Sequence, residues 1–139
     1  AAFAAMDLAL ADTTIAMYDA KYADHVWRPV TAIQAADAGW NPLTPTAADP
    51  SYPGAHSALS AAAATVLTAY YGAPPVSVTS AADPGVTRTF TGFTAVADEA
   101  GLSRIWAGQH TRLDHEAGRQ LGDQVGGVAL DALKVNRAG

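Results

Sequence analysis

Residues 112–133, RLDHEAGRQLGDQVGGVALDAL, decide the fold, because they combine a helical sequence with small residues at a fixed spacing. Gly118, Gly122 and Gly126 repeat at every fourth position, so in a helix they share one face. Such a face lets a neighbouring helix approach closely, although each glycine costs up to about 1 kcal/mol of helix propensity. The stretch therefore predicts a long final helix that packs tightly against another one.

Apolar periodicity predicts further helices upstream. A first helix should run to about Tyr22, with a core-facing stripe of Phe3, Met6, Leu10, Thr14, Met17 and Lys21. A short helix is expected after Arg28-Pro29, to about Ala36. A second long helix is expected over residues 56–71. Its core-facing side should consist of His56, Leu59, Ser60, Ala63, Leu67 and Tyr70. Residues 93–100 and 103–109 predict two short helical pieces, broken at Gly101.

Two long connections interrupt these helices. Residues 39–55 are rich in proline and predict an ordered loop of a length that is usually functional. Residues 72–92 contain VSVTS, which could form a strand, but no obvious partner lies nearby. No internal repeat or low-complexity tail is evident. The predicted fold is a single all-α domain over residues 1–139, a helical bundle with long active-site loops.

Composition limits the function. The chain has 139 residues and a net charge of −5, and this negative charge argues against nucleic-acid binding. It has no cysteine, which excludes disulfides and Cys-type zinc sites. No apolar run reaches the roughly 18 residues of a membrane span. The opening residues predict the middle of a helix and not a targeting segment, so we expect part of a longer protein. A soluble protein is expected, and secreted or periplasmic locations stay open.

Three short motifs concentrate the chemistry: KYADHVWRP with Lys21 and Arg28, PSYPGAH ending in His56, and SRIWAGQHTRLD with Arg104, His110 and Asp114. Taken singly, each side chain has an ordinary structural explanation, such as a snorkelling lysine, a helix cap or a surface pair. Together they supply three cations, two histidines and a carboxylate, a set suited to a tetrahedral oxyanion. The spacing of four between His110 and Asp114 would let the carboxylate fix one imidazole tautomer.

The motif order K-x6-R-P, P-x-x-H and S-R-x5-H-x3-D resembles the signature of the vanadium-dependent haloperoxidase and type 2 phosphatidic acid phosphatase (PAP2) superfamily. The first and third motifs match fully, whereas Gly54-Ala55 stands where the family has Ser-Gly before the histidine. The flanking residues look more like the soluble bacterial haloperoxidases than the membrane lipid phosphatases. The resemblance implies a bundle of this type, of which the chain is only the C-terminal, motif-bearing part.

The resemblance also implies a vanadate cofactor, whose site phosphate or sulfate can occupy. Lys21, Arg28 and Arg104 would neutralise the oxygens of the oxyanion, and the Ala55 amide would donate to it. The missing serine removes one hydroxyl that could bond to the oxyanion.

His110 would be the axial vanadium ligand or a phosphoryl-accepting nucleophile. Asp114 would orient His110, and His56 would act as acid and base. The implied enzyme is a haloperoxidase that uses peroxide to oxidise halide. The alternatives are an acid phosphatase acting on a phosphate ester through phosphohistidine, and a truncated oxyanion-binding domain without turnover. We also expect either a homo-oligomer, with the first helix covered by another copy, or an N-terminal half that completes the bundle.

Overall fold

The computed structural model describes residues 1–135, which form a helical bundle with a small β-hairpin. In chain order the elements are α1 (Ala2–Asp24), α2 (Pro29–Gln34), α3 (Ala55–Tyr71), β1 (Val76–Thr79), β2 (Thr87–Phe90), α4 (Phe93–Trp106) and α5 (Arg112–Ala132). The predicted helical-bundle fold class is confirmed. No helix among these residues is both long and apolar enough to cross a membrane.

The glycine face of α5 packs against α3, as the sequence predicts. A side chain at Gly118 would clash with the carbonyl oxygen of Gly54, and one at Gly122 would clash with that of Ala58. The two helices therefore touch through their backbones, and Gly54 N donates a hydrogen bond to Asp114 O at 2.9 Å. This contact joins the N-terminal ends of α3 and α5.

Small side chains form the apolar core at the other end of the bundle. It lies between the start of α1 and the ends of α3 and α5, and its buried members are Ala5, Ala9, Val66, Ala69, Ala129 and Leu130. Four of these six residues are alanines, so the helices pack closely here around Val66 and Leu130.

The predicted faces of α1 and α3 are wrong in part, although Met17 and Lys21 of the predicted α1 stripe are buried and Tyr70 of α3 packs against the core. On α1 the buried stripe is Ala5, Ala9, Thr13, Met17 and Lys21, whereas Phe3 is 73% exposed. On α3 the buried face is made of Ser57, Ala58, Ala61, Ala62, Ala64, Val66 and Ala69, and His56 is exposed. Where the helices approach closely, small residues face the core, and a larger residue such as Phe3 turns outward.

Two further elements differ from the prediction. The VSVT segment does have a partner, because β1 pairs antiparallel with β2 and Val76 lies opposite Phe90. Helix α4 is continuous through Gly101, which is buried within it. A side chain at Gly101 would clash with Ser57 and His115, so this glycine serves close packing and does not end the helix.

Candidate active site

The chemistry-bearing motifs meet at the end of the bundle where α3 and α5 begin. Lys21 lies in the last turn of α1 and Arg28 is the N-cap of α2. Arg104 lies in the last turn of α4, and its carbonyl accepts hydrogen bonds from the amides of Gln109 and His110. Two helix N-termini thus face a region where two helices end in basic residues, an arrangement that favours an anion.

His110 is buried and contacts charged groups on both ring nitrogens. Its Nδ1 lies 3.4 Å from Asp114 Oδ2, and its Nε2 lies 3.2 Å from Arg28 Nη1. Since a guanidinium only donates, Nε2 must accept, and the ring proton belongs on Nδ1 facing the carboxylate. This tautomer leaves the lone pair of His110 on Nε2.

Asp114 is held in place by hydrogen bonds from other residues as well as by its pairing with His110. Its Oδ2 accepts hydrogen bonds from Thr111 N at 2.7 Å and from Ser51 Oγ at 2.8 Å, while Thr111 Oγ1 caps α5 by accepting from Asp114 N. Burial would raise the pKa of Asp114, but the hydrogen bonds from His110, Thr111 and Ser51 outweigh it and lower the pKa to about 2. Asp114 is therefore a fixed negative charge behind the imidazole.

Lys21 and Arg28 share one carboxylate. Asp49 Oδ2 lies 3.0 Å from Lys21 Nζ, and Asp49 Oδ1 lies 2.9 Å from Arg28 Nη2. Burial lowers the pKa of Lys21, and the bond to Asp49 opposes that shift only in part. Burial would raise the pKa of Asp49, but Lys21 and Arg28 hold it below 3.8. The two cations are thus oriented by an internal counter-ion.

Arg104 and His56 remain available to a ligand. Among residues 1–135, neither side chain has a hydrogen-bond or ion-pair partner. His56 is exposed, yet partial loss of hydration lowers its pKa, and the charges of Arg104 and His110 lower it further. His56 is therefore mostly neutral near pH 7 and lies within electrostatic reach of both residues. Ala55 opens α3 beside it.

Sequence reasoning missed four residues of this site: Asp49, Ser51, Gln109 and Thr111. Asp49 had one signal, since it is the only charged side chain between Gly39 and Ala55. Thr111 had another, because Thr-x-x-Asp is a capping-box pattern. Ser51 and Gln109 had none: Ser51 is fully buried against Asp114, and Gln109 binds Arg28 through its carbonyl and Thr44 through its side chain.

Comparison with known proteins identifies the family of this chain. Residues 34–138 match the family model described as the VCPO second helical-bundle domain. The chain belongs to the vanadium haloperoxidase family. Among solved structures, a bacterial vanadium-dependent iodoperoxidase superposes on this family member with a TM-score of 0.90 at 32% sequence identity, covering 99% of the chain.

More distant haloperoxidases share the fold alone. The holo-type and apo-type structures of a bacterial vanadium-dependent chloroperoxidase each give a TM-score of 0.79 at 20% identity over 94% of the chain. Among curated proteins, no match is found. The chain spans 34% of the iodoperoxidase and 35% of the chloroperoxidase, about a third of each.

Proposed function

We propose that this chain is the vanadate-binding part of a haloperoxidase that oxidises halide with hydrogen peroxide. The observation that carries the proposal is the state of His110, whose Nδ1 faces Asp114 and whose Nε2 directs its lone pair toward the cation Arg28. An imidazole fixed in this way is a suitable ligand for vanadium. The similarity to an iodoperoxidase over nearly the whole chain supports it.

The residues present fit a tetrahedral oxyanion. Lys21, Arg28 and Arg104 supply three cations against the two carboxylates of Asp49 and Asp114. No group of three or more His, Cys, Asp or Glu side chains in residues 1–135 could hold a metal ion. The family resemblance implies a different kind of site, in which His110 alone would bond to vanadium and the cations would bind the oxygens.

Bound vanadate would supply the electrophilic centre at which peroxide is activated. Arg104 would contribute its unused N–H donors to the oxyanion, and Arg28 would turn its Nη1 donor from Nε2 of His110 to the oxyanion, which frees that nitrogen's lone pair. Asp114 would keep the proton on Nδ1 of His110. His56, mostly neutral near pH 7, would accept a proton from the incoming peroxide.

A paired assay tests the proposal. The purified chain loaded with orthovanadate is given peroxide with iodide, bromide or chloride, and the vanadate-free sample is given phosphate monoesters. We expect halide oxidation that depends on vanadate. Phosphate-ester hydrolysis in its place would favour the phosphohistidine enzyme, and oxyanion binding with neither activity would favour a binding domain without turnover.

A further inference from the structure

Lys21 and Arg28 already use nearly all of their N–H groups within the protein. An ammonium has three donors, and those of Lys21 go to the Asp49 carboxylate and to the carbonyls of Pro50 and Ser51. A guanidinium has five. Of these, Arg28 uses four, on the carbonyl and carboxylate of Asp49, the carbonyl of Gln109 and the ring of His110. An oxyanion can therefore reach Lys21 only by replacing an acceptor.

Asp49 is the acceptor that can be replaced. Pro50 and Ser51 accept through main-chain carbonyls, and Ser51 is anchored to Asp114 by its hydroxyl. The Asp49 carboxylate is a side chain with 20% exposure. Rotation about its side-chain bonds would release both cations without moving the backbone.

We propose that Asp49 is a built-in competitor for the oxyanion and thereby determines how tightly the site binds. Its carboxylate binds Lys21 and Arg28 and would be exchanged for the oxyanion when that anion binds. The inference rests on the oxyanion-binding function proposed above and adds the residue that sets its affinity.

Charge explains why the exchange can occur. Lys21 is fully buried, so its ammonium needs a counter-charge at all times. The carboxylate provides one negative charge through two oxygens, spaced to meet Lys21 and Arg28 together. A doubly charged tetrahedral oxyanion provides more charge and more oxygens, whereas nitrate or acetate only equals the carboxylate. The site should therefore prefer dianions.

Calorimetric titration with orthovanadate and with inorganic phosphate tests the inference on the wild type, Asp49→Asn and Asp12→Asn. Asp12→Asn makes the same change in net charge at an exposed position of α1, roughly 14 Å from Lys21 along the helix. We expect Asp49→Asn to bind both anions at least about tenfold more tightly, because no carboxylate must be displaced. Asp12→Asn should bind like the wild type.

The outcomes separate this inference from the function on which it rests. If the wild type binds and Asp49→Asn binds equally or more weakly, Asp49 is not a competitor and the proposed function stands. If neither protein binds an oxyanion, both ideas fail. Binding by Asp49→Asn alone would support the inference most strongly.

A structure of the wild type soaked with tungstate gives an answer even if Asp49→Asn does not fold. Tungstate is a tetrahedral dianion that is easily located by its scattering. We expect Asp49 to have left Lys21 Nζ, with a tungstate oxygen in its place. A bound tungstate that leaves the contacts of Asp49 with Lys21 and Arg28 intact would overturn the exchange.

Discussion

His110 is the residue on which the proposed chemistry depends. A vanadium ligand or nucleophile has no substitute, so His110→Ala should abolish both turnover and stable oxyanion attachment. The measurement is halide oxidation together with vanadate retention after dialysis. If His110→Ala stayed near normal while Arg28→Ala or Arg104→Ala destroyed activity, the site would act through electrostatics alone.

His56 should matter in a graded way, because it is exposed and has no hydrogen-bond or ion-pair partner among residues 1–135. An acid–base group contributes about 10²- to 10⁴-fold to a rate. His56→Ala should therefore slow turnover within that range while oxyanion affinity changes little. Asp114→Asn should have an intermediate effect, since it disturbs the tautomer of His110 without removing the ring. A loss of oxyanion affinity in His56→Ala that matched its loss of rate would contradict the acid–base role.

At the scale of elements, α3 and α5 determine the geometry of the site because their backbones touch. Gly122→Ala would force a methyl group into the carbonyl of Ala58 and should lower the free energy of unfolding by about 3 kcal/mol or more. Gly127 offers a matched control in the same helix, because a side chain there meets nothing within 4 Å. Gly127→Ala should be neutral or stabilising by up to about 1 kcal/mol. Denaturant unfolding checks both, and equal effects would contradict the packing.

The α3–α4–α5 junction should also be sensitive to acid. His115 lies there, with Nδ1 2.9 Å from Ser57 Oγ. Burial and then the charge of Arg119 lower its pKa below 6.5, while Asp98 opposes them. The unfolded state then binds more protons, so this contribution to stability is complete above pH 6.5 and is lost as the pH falls through the lower, folded-state pKa.

His115→Gln should flatten that dependence. Urea unfolding on both sides of pH 6.5 measures it for the wild type and the variant. His56, whose pKa is also lowered, is present in both proteins, so the difference in slope reports His115. An unchanged slope would show that His115 is not responsible.

The sequence was most informative where residue type alone is decisive. The roles of the cations, the histidines and the close-packing glycines can be predicted from the sequence, because few other residue types can fill those roles. The buried faces of α1 and α3 could not be identified in this way, since alanine and larger apolar residues both suit a helix. Which of them is buried depends on how closely the neighbouring helix approaches. The roles of Asp49 and Ser51 could not be predicted for another reason. They lie in a proline-rich loop without periodicity, so their contacts depend on the path of that loop.

At the scale of the whole molecule, α1 presents large apolar side chains to solvent. Ile15 is 71% exposed and Tyr22 is 55% exposed. Soluble monomers usually expose only small contiguous patches of apolar surface. Coverage of α1 by another copy remains a prediction, and so does completion of the bundle by an N-terminal half. Light scattering on the purified chain should show a particle larger than one copy. A strictly monomeric particle would contradict self-association.

A crystal structure of the chain soaked with orthovanadate tests most directly whether His110 binds vanadium. We expect vanadium bonded to Nε2 of His110, with oxygens contacting Arg28 and Arg104 and with Asp114 still hydrogen-bonded to Nδ1. Vanadate bound elsewhere, or bound among the cations with His110 turned away, would contradict it.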